Sequence, residues 1–222
     1  MVLPDATLFP GATYPLEVQK PSHIKMVADV LEGHRVFILA YEEPLTQKPS
    51  KVCGIGLIRA AIRIDGVYRV ILQGLTRVSL VQCVKKRPYP VYEIQPLKEN
   101  NPPYQSIRMY LETLREKVDR IIKKMKINAI SLPSPPNSAN TTTAIIPAFN
   151  PQPELKASFS ENPLEDFLAY LNHIDQPGTL ADIIASTMVI PGPDRQAILN
   201  ACSIRERLKI TAEILCKTYG LE

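Results

Sequence analysis

VCGIGLIRAAIRI (52–64), the dipeptide Asp65-Gly66, VYRVILQG (67–74) and TRVSLVQCV (76–84) form the stretch that decides the fold. Apolar and polar side chains alternate in part along the last two runs, as in strands with one face buried and one face wet. A two-residue turn needs positive φ at its central positions, and Asp65-Gly66 between Ile64 and Val67 tolerates it. A β-hairpin is expected there. Working outward, HRVFILAY (34–41) and VYEIQPL (91–97) read as further strands bounded by turn residues.

From Val2 to about Lys98 one helix interrupts this β pattern. Ile24, Val27, Ala28 and Leu31 fall at helical spacing, Ser22 is placed to cap the first turn, and Gly33 to end it. Strands that recur so often hide their edges by curling. A small closed or partly open barrel of about five or six strands is expected, with the helix plugging one end or side. Gly54-Ile55-Gly56 lacks the third glycine and following helix of a dinucleotide fingerprint, and reads as a place of curvature or a bulge.

Past Asn100-Asn101-Pro102-Pro103 the apolar period lengthens. Ile107, Leu111, Leu114, Val118, Ile121 and Met125 make a narrow seam along a long helix, with Glu116/Arg120 and Asp119/Lys123 as supporting pairs on its exposed side. The seam is expected to pack on other helices of the chain; self-association through it is the alternative. SLPSPPNSANTTTAIIPAFNPQPELKASFS (131–160) has too little apolar surface to offset the entropy of ordering, and reads as a mobile loop. Further helices are expected over 164–174, 180–188, 193–201 and 204–219, with Asn162 and Ser203 as caps and Gly220 as a terminator. The fold class is therefore α+β, with a barrel domain at 1–99 and a helical domain at 100–222.

Composition narrows the function classes. The chain has 222 residues, 45% hydrophobic and 22% charged, enough to bury a core without disulfides or metals. A formal charge of +4 does not by itself imply a nucleic-acid surface. The four cysteines, Cys53, Cys83, Cys202 and Cys216, lack metal-ligand or redox spacing and read as small hydrophobes in a reducing compartment. MVLPDATLFPG does not resemble a secretory signal, and no segment is apolar enough for a membrane helix, so a cytoplasmic protein is expected.

The search for chemistry yields near misses. Ser22-His23-Ile24-Lys25 matches an S-x-x-K element, but S-D-N is missing and Lys217-Thr218-Tyr219-Gly220 only echoes K-T-G, so Ser22 reads as a helix cap. There is no G-x-x-x-x-G-K-[ST] phosphate loop, and His23, His34 and His173 stand isolated. No catalytic residue, metal or cofactor is expected. Lys85-Lys86-Arg87, flanked by Tyr89 and Tyr92, and Lys123-Lys124-Met125-Lys126 are basic runs that read first as solvated rims and second as an RNA contact.

Several separated stretches agree with one family. LPDATLFPGATYPLEV at 3–18, VCGIG at 52–56, VILQGLTRV at 70–78, TLADIIA at 179–185 and SIRERL at 203–208 resemble, in order, the amino-terminal substrate-binding domain of Lon-type ATP-dependent proteases. The resemblance implies a PUA-like barrel followed by a helical bundle. It also implies a non-catalytic module that captures unfolded or degron-bearing polypeptides and works with ATPase and protease domains. Whether the sequence is an excised fragment or a free-standing relative stays open. Tyr14, Leu16, Lys20 and Lys25 are the candidate substrate-binding residues, with Tyr89 and Tyr92 as a second group. RNA binding and an assembly role are the rival readings.

Overall fold

The structure, a computed structural model, describes residues 1–130 and 163–221. The proline-rich stretch and the Asn162 cap read from the sequence lie outside the described residues. In chain order the elements are β1 (Val2–Leu3), β2 (Thr13–Val18), α1 (Pro21–Glu32), β3 (Val36–Tyr41), β4 (Val52–Ile64), β5 (Val67–Lys85) and β6 (Val91–Pro96), then α2 (Tyr104–Ile130), α3 (Pro163–Asn172), α4 (Pro177–Met188), α5 (Pro193–Asn200) and α6 (Ile204–Tyr219). The architecture is α+β, a six-stranded mixed sheet followed by helices.

The hairpin stands where its turn chemistry puts it. Asp65 and Gly66 have φ of 51° and 82°, and Ile64 pairs with Val67. The strand order is β1-β3-β4-β5-β2, with β6 also on β5, and among the described residues the pairings do not close into a ring. The two runs read as separate strands at 67–74 and 76–84 are one strand, β5. The break between them is a bulge: Ile55 pairs with Thr76 and Gly56 with Gly74, leaving Leu75 unpaired. A bulge bends its strand, and β5 exchanges one neighbour for another across it. Tyr68–Gln73 pair with β2, whereas Val78–Lys85 pair with β6.

Tyr14, Leu16 and Val18 alternate with Pro15 and Glu17 along β2, so the first set faces inward with Ile58, Val70 and Leu72. Met26 and Val27 bring α1 onto the same core. The helix begins earlier than its serine suggested. Lys20 occupies the N-cap without a side-chain bond and Pro21 sits in the first turn, so Ser22 is not the cap. Ser203 does hold the N-cap of α6, but its side chain makes no capping bond; Gly220 ends that helix in the left-handed region as expected.

The seam on α2 is used within the chain. Ile107, Leu111, Leu114, Val118 and Ile121 are buried with side chains of α4, α5 and α6, and Met125 packs at the edge. The sheet and helices are joined in two ways. Leu8 belongs to the barrel core while its neighbour Phe9 belongs to the helical core. Their backbone crosses the sheet so closely that a Cβ on Gly54 would overlap the Leu8 carbonyl, and one on Gly74 the Phe9 carbonyl. Glycine is required there by close approach.

The second joint is a buried charge cluster. Arg77 of β5 donates from Nη1 to Asp182 of α4 at 2.9 Å, from Nη2 to the other carboxylate oxygen, and from Nε to the Leu199 carbonyl at 3.0 Å. Arg207 of α6 donates to Asp182 at 3.3 Å, to Glu99 at 2.7 Å and to the Ala201 carbonyl. Buried charges survive when paired and hydrogen-bonded on every side, and here each guanidinium finds both carboxylate and carbonyl partners.

Candidate functional site

An apolar pocket of about 240 Å³ opens where β3, β6 and α1 approach one another. Phe37 and Ile38 of β3, Met26 and Val30 of α1, and the Tyr89–Tyr92 segment leading into β6 are among its walls. No lining side chain is charged. The reason lies in the strands' sequences: β3, VFILAY, is apolar along its length, and on β6 Tyr92 and Ile94 turn to this side while Glu93 and Gln95 turn to solvent.

Tyr89 and Tyr92, named from the sequence, both line this pocket, half-buried. The Tyr89 hydroxyl donates to Asp29 Oδ2 at 2.9 Å, and Lys25 Nζ reaches Asp29 Oδ1 at 2.9 Å. Asp29, which the sequence reading passed over, thus ties Lys25 on α1 to the Tyr89 segment. The hydrogen bond from Lys25 and then that from Tyr89 hold the Asp29 carboxyl below its ordinary range. The same bond, followed by burial, raises the Tyr89 hydroxyl, whereas burial leads in raising that of Tyr92.

The other candidates are placed elsewhere. Tyr14 packs on the barrel core, and burial raises its hydroxyl above the ordinary value. Leu16 is also packed on that core and borders a second, shallow groove of about 440 Å³ with Pro15, Ala60, Ile62, Arg69 and Ile71. Arg69 meets Glu17 across this groove at 3.6 Å. Lys20 is exposed at the start of α1, near enough to His23 for its charge to help hold that imidazole below its ordinary value, after burial and the Met1 amino group. The structure therefore places Tyr89 and Tyr92 on one pocket, with Lys25 tied to Tyr89 through Asp29, and leaves Tyr14, Leu16 and Lys20 outside it. Pocket residues such as Phe37 and Ile94 went unread because inward and outward positions depend on register.

What this pocket can do chemically is narrow. It offers dispersion contacts and water exclusion for one or two apolar side chains, with tyrosine hydroxyls at the border; no lining side chain is a carboxylate, imidazole or ammonium, and the Met1 amino group is bound to the Ile38 carbonyl. Cys53 lies buried on β4, packed with Ala40 and Val78, with its thiol pushed up to about 12 by burial, and reads as a packing residue. Cys83 differs from the sequence expectation: it is exposed, because it lies on the part of β5 that only β6 covers. Among the described residues no helix is long and apolar enough to cross a membrane.

The arginine and aspartate of the cluster described above come from the quoted motifs. Arg77 lies in VILQGLTRV, Asp182 in TLADIIA and Arg207 in SIRERL. Those motifs therefore mark a joint between sheet and helices, 2% or less exposed at both arginines, and not a ligand surface.

Comparison with known proteins agrees with the motifs. Lon protease 2 of Bdellovibrio bacteriovorus is 25% identical over 222 residues, covering 95% of this chain and 23% of that protein. Lon protease of Dictyoglomus thermophilum is 23% identical over 215 residues, covering 93% of this chain and 22% of that protein. The chain thus spans less than a quarter of the length of either relative. Among solved structures, the N-terminal domain of Mycobacterium avium complex Lon protease superposes with a TM-score of 0.66 at 12% identity, over 97% of this chain and 95% of that one. A Lon N-terminal domain protein from Xanthomonas campestris gives 0.55 at 15% identity, over 94% and 93%. The family model described as the ATP-dependent protease La (LON) substrate-binding domain matches residues 1–217, and the chain belongs to that family.

Proposed function

We propose that this chain is the recognition part of an ATP-dependent proteolytic system in the cytoplasm, capturing unfolded or degron-bearing polypeptides without catalysing a reaction itself. The observation that carries the reading is the apolar pocket between α1, β3 and β6. An unfolded chain differs from a folded one in presenting apolar side chains to solvent, and this pocket is built to take one. Full burial of a leucine or phenylalanine side chain is worth about 1.5–3 kcal/mol. One such anchor gives only weak binding once the entropy of association is counted, so capture is broad and depends on several anchors along the polypeptide. Hydrolysis and unfolding belong to ATPase and peptidase units that act with this module.

The test is fluorescence anisotropy of a labelled, permanently unfolded polypeptide titrated with the protein, beside its folded counterpart. Saturable binding of the unfolded probe alone is the expected result. Equal binding of both probes, or of neither, overturns the reading.

A further inference from the structure

The pocket has a charged border on one side. Lys85, Lys86 and Arg87 are exposed where β5 turns into β6, and the wall that starts at Tyr89 follows directly. Among the described residues none of these three cations is in an ion pair. The carboxylates nearby are engaged. Asp29 holds Lys25 and Tyr89 and also feels the charge of Lys85, and Glu93 accepts from Gln82 at 2.7 Å. An apolar pocket therefore adjoins a positive turn whose three cations form no ion pair among the described residues.

We propose that this surface selects polypeptide segments that carry an apolar anchor beside acidic residues. The anchor enters the pocket, and the acidic side chains face Lys85, Lys86 and Arg87. This inference rests on the capture reading and refines it. Charge complementarity of exposed groups adds specificity more than affinity, and it is screened beyond about 8–10 Å at physiological salt. RNA uses such a surface less well. Base stacking needs free aromatic faces, whereas Tyr89 and Tyr92 are half-buried wall residues and the Tyr89 hydroxyl is committed to Asp29.

The experiment measures anisotropy of three labelled peptides sharing one apolar core, flanked by acidic, neutral or basic residues, together with a single-stranded RNA. Each is titrated with the protein and with its Lys85→Gln/Lys86→Gln/Arg87→Gln variant. The expected result is binding of the acidic peptide about fivefold or more tighter than the neutral one at low salt. That gap closes in the variant and at about 0.5 M salt, while the neutral peptide binds both proteins alike. Equal binding of acidic and neutral peptides overturns the selectivity and leaves capture standing. Binding of none of the peptides removes capture and selectivity together, and RNA binding tighter than the acidic peptide overturns the assignment of the turn to polypeptides.

Discussion

Arg77 of β5 and Asp182 of α4 are 105 residues apart in sequence, yet their side chains meet in a two-pronged ion pair at 2% and 3% exposure. With Arg207 and Glu99 the pair closes the junction between sheet and helices. A buried pair contributes little net stability, because desolvation offsets its attraction, but removing one partner strands the other charge. Asp182→Asn leaves two buried guanidiniums with only the partly exposed Glu99 as carboxylate partner and is expected to cost about 3–5 kcal/mol, read from the urea midpoint. The triple replacement Arg77→Met, Asp182→Leu and Arg207→Met leaves no buried charge stranded, since Glu99, 40% exposed, keeps its water. It is expected to cost less than Asp182→Asn alone; the reverse order would show that the charges stabilise the fold outright.

Gly74 and Gly54 set a second test of the same junction. A methyl group on Gly74 meets the Phe9 carbonyl, and one on Gly54 meets the Leu8 carbonyl and Cβ. Backbone cannot swing aside as a side-chain tip does, so either alanine substitution forces the 7–12 segment off the sheet. Overpacking of this kind costs about 1–3 kcal/mol. At Gly56 the obstacle is the movable tip of Leu8, so Gly56→Ala is expected to cost less than Gly74→Ala. Thermal unfolding of the three variants gives the order.

Asp29 provides a pH signature for the tie between α1 and the Tyr89 segment. Its folded pKa lies below the unfolded value of about 3.9. A depressed carboxyl contributes stability that is present above the unfolded pKa and is lost as pH falls through the folded one. The stability difference between the protein and Asp29→Asn is therefore expected to be present at neutral pH and to vanish well below pH 4. The pair with Lys25 is exposed, so the difference is small and shrinks with salt. A difference that grows on acidification would contradict the assigned direction.

The hairpin at Asp65-Gly66, the start of α6 at Ile204 and the seam from Ile107 to Ile121 were legible in the sequence because each depends on local chemistry: a turn's φ angles, or a periodic apolar face. The bulge at Leu75 was seen only as a gap between two strands, since a single apolar residue does not reveal that its partner strand skips it. Ser22 misled because Pro21 already fixes the first turn, moving the helix start to Lys20. At the candidate site, Tyr89 and Tyr92 stood out as aromatic residues beside prolines and a basic run. Asp29 did not, because only the fold brings α1 beside the β5–β6 turn. Arg77, Asp182 and Arg207 lay in the quoted motifs, yet nothing in the linear sequence pairs residues so far apart.

Two surfaces compete for the capture role, and a charge placed in each separates them. Val91 is exposed at the pocket between β3 and β6, whereas Ile71 is exposed in the shallow groove beside Leu16 and Pro15. An arginine at either position reaches water and leaves the buried core untouched, so both variants are expected to unfold at nearly the temperature of the unmodified protein. Val91→Arg puts a guanidinium where an apolar anchor must lose its water, and should weaken binding of a neutral unfolded polypeptide by about tenfold, equivalent to about 1.4 kcal/mol. Ile71→Arg should leave it unchanged. The opposite pattern, loss only in Ile71→Arg, would move capture to the groove of Pro15, Leu16 and Ile62 and bring Leu16 back as a contact residue. Equal loss in both would mean that the polypeptide wraps the barrel and uses the two grooves as successive anchors.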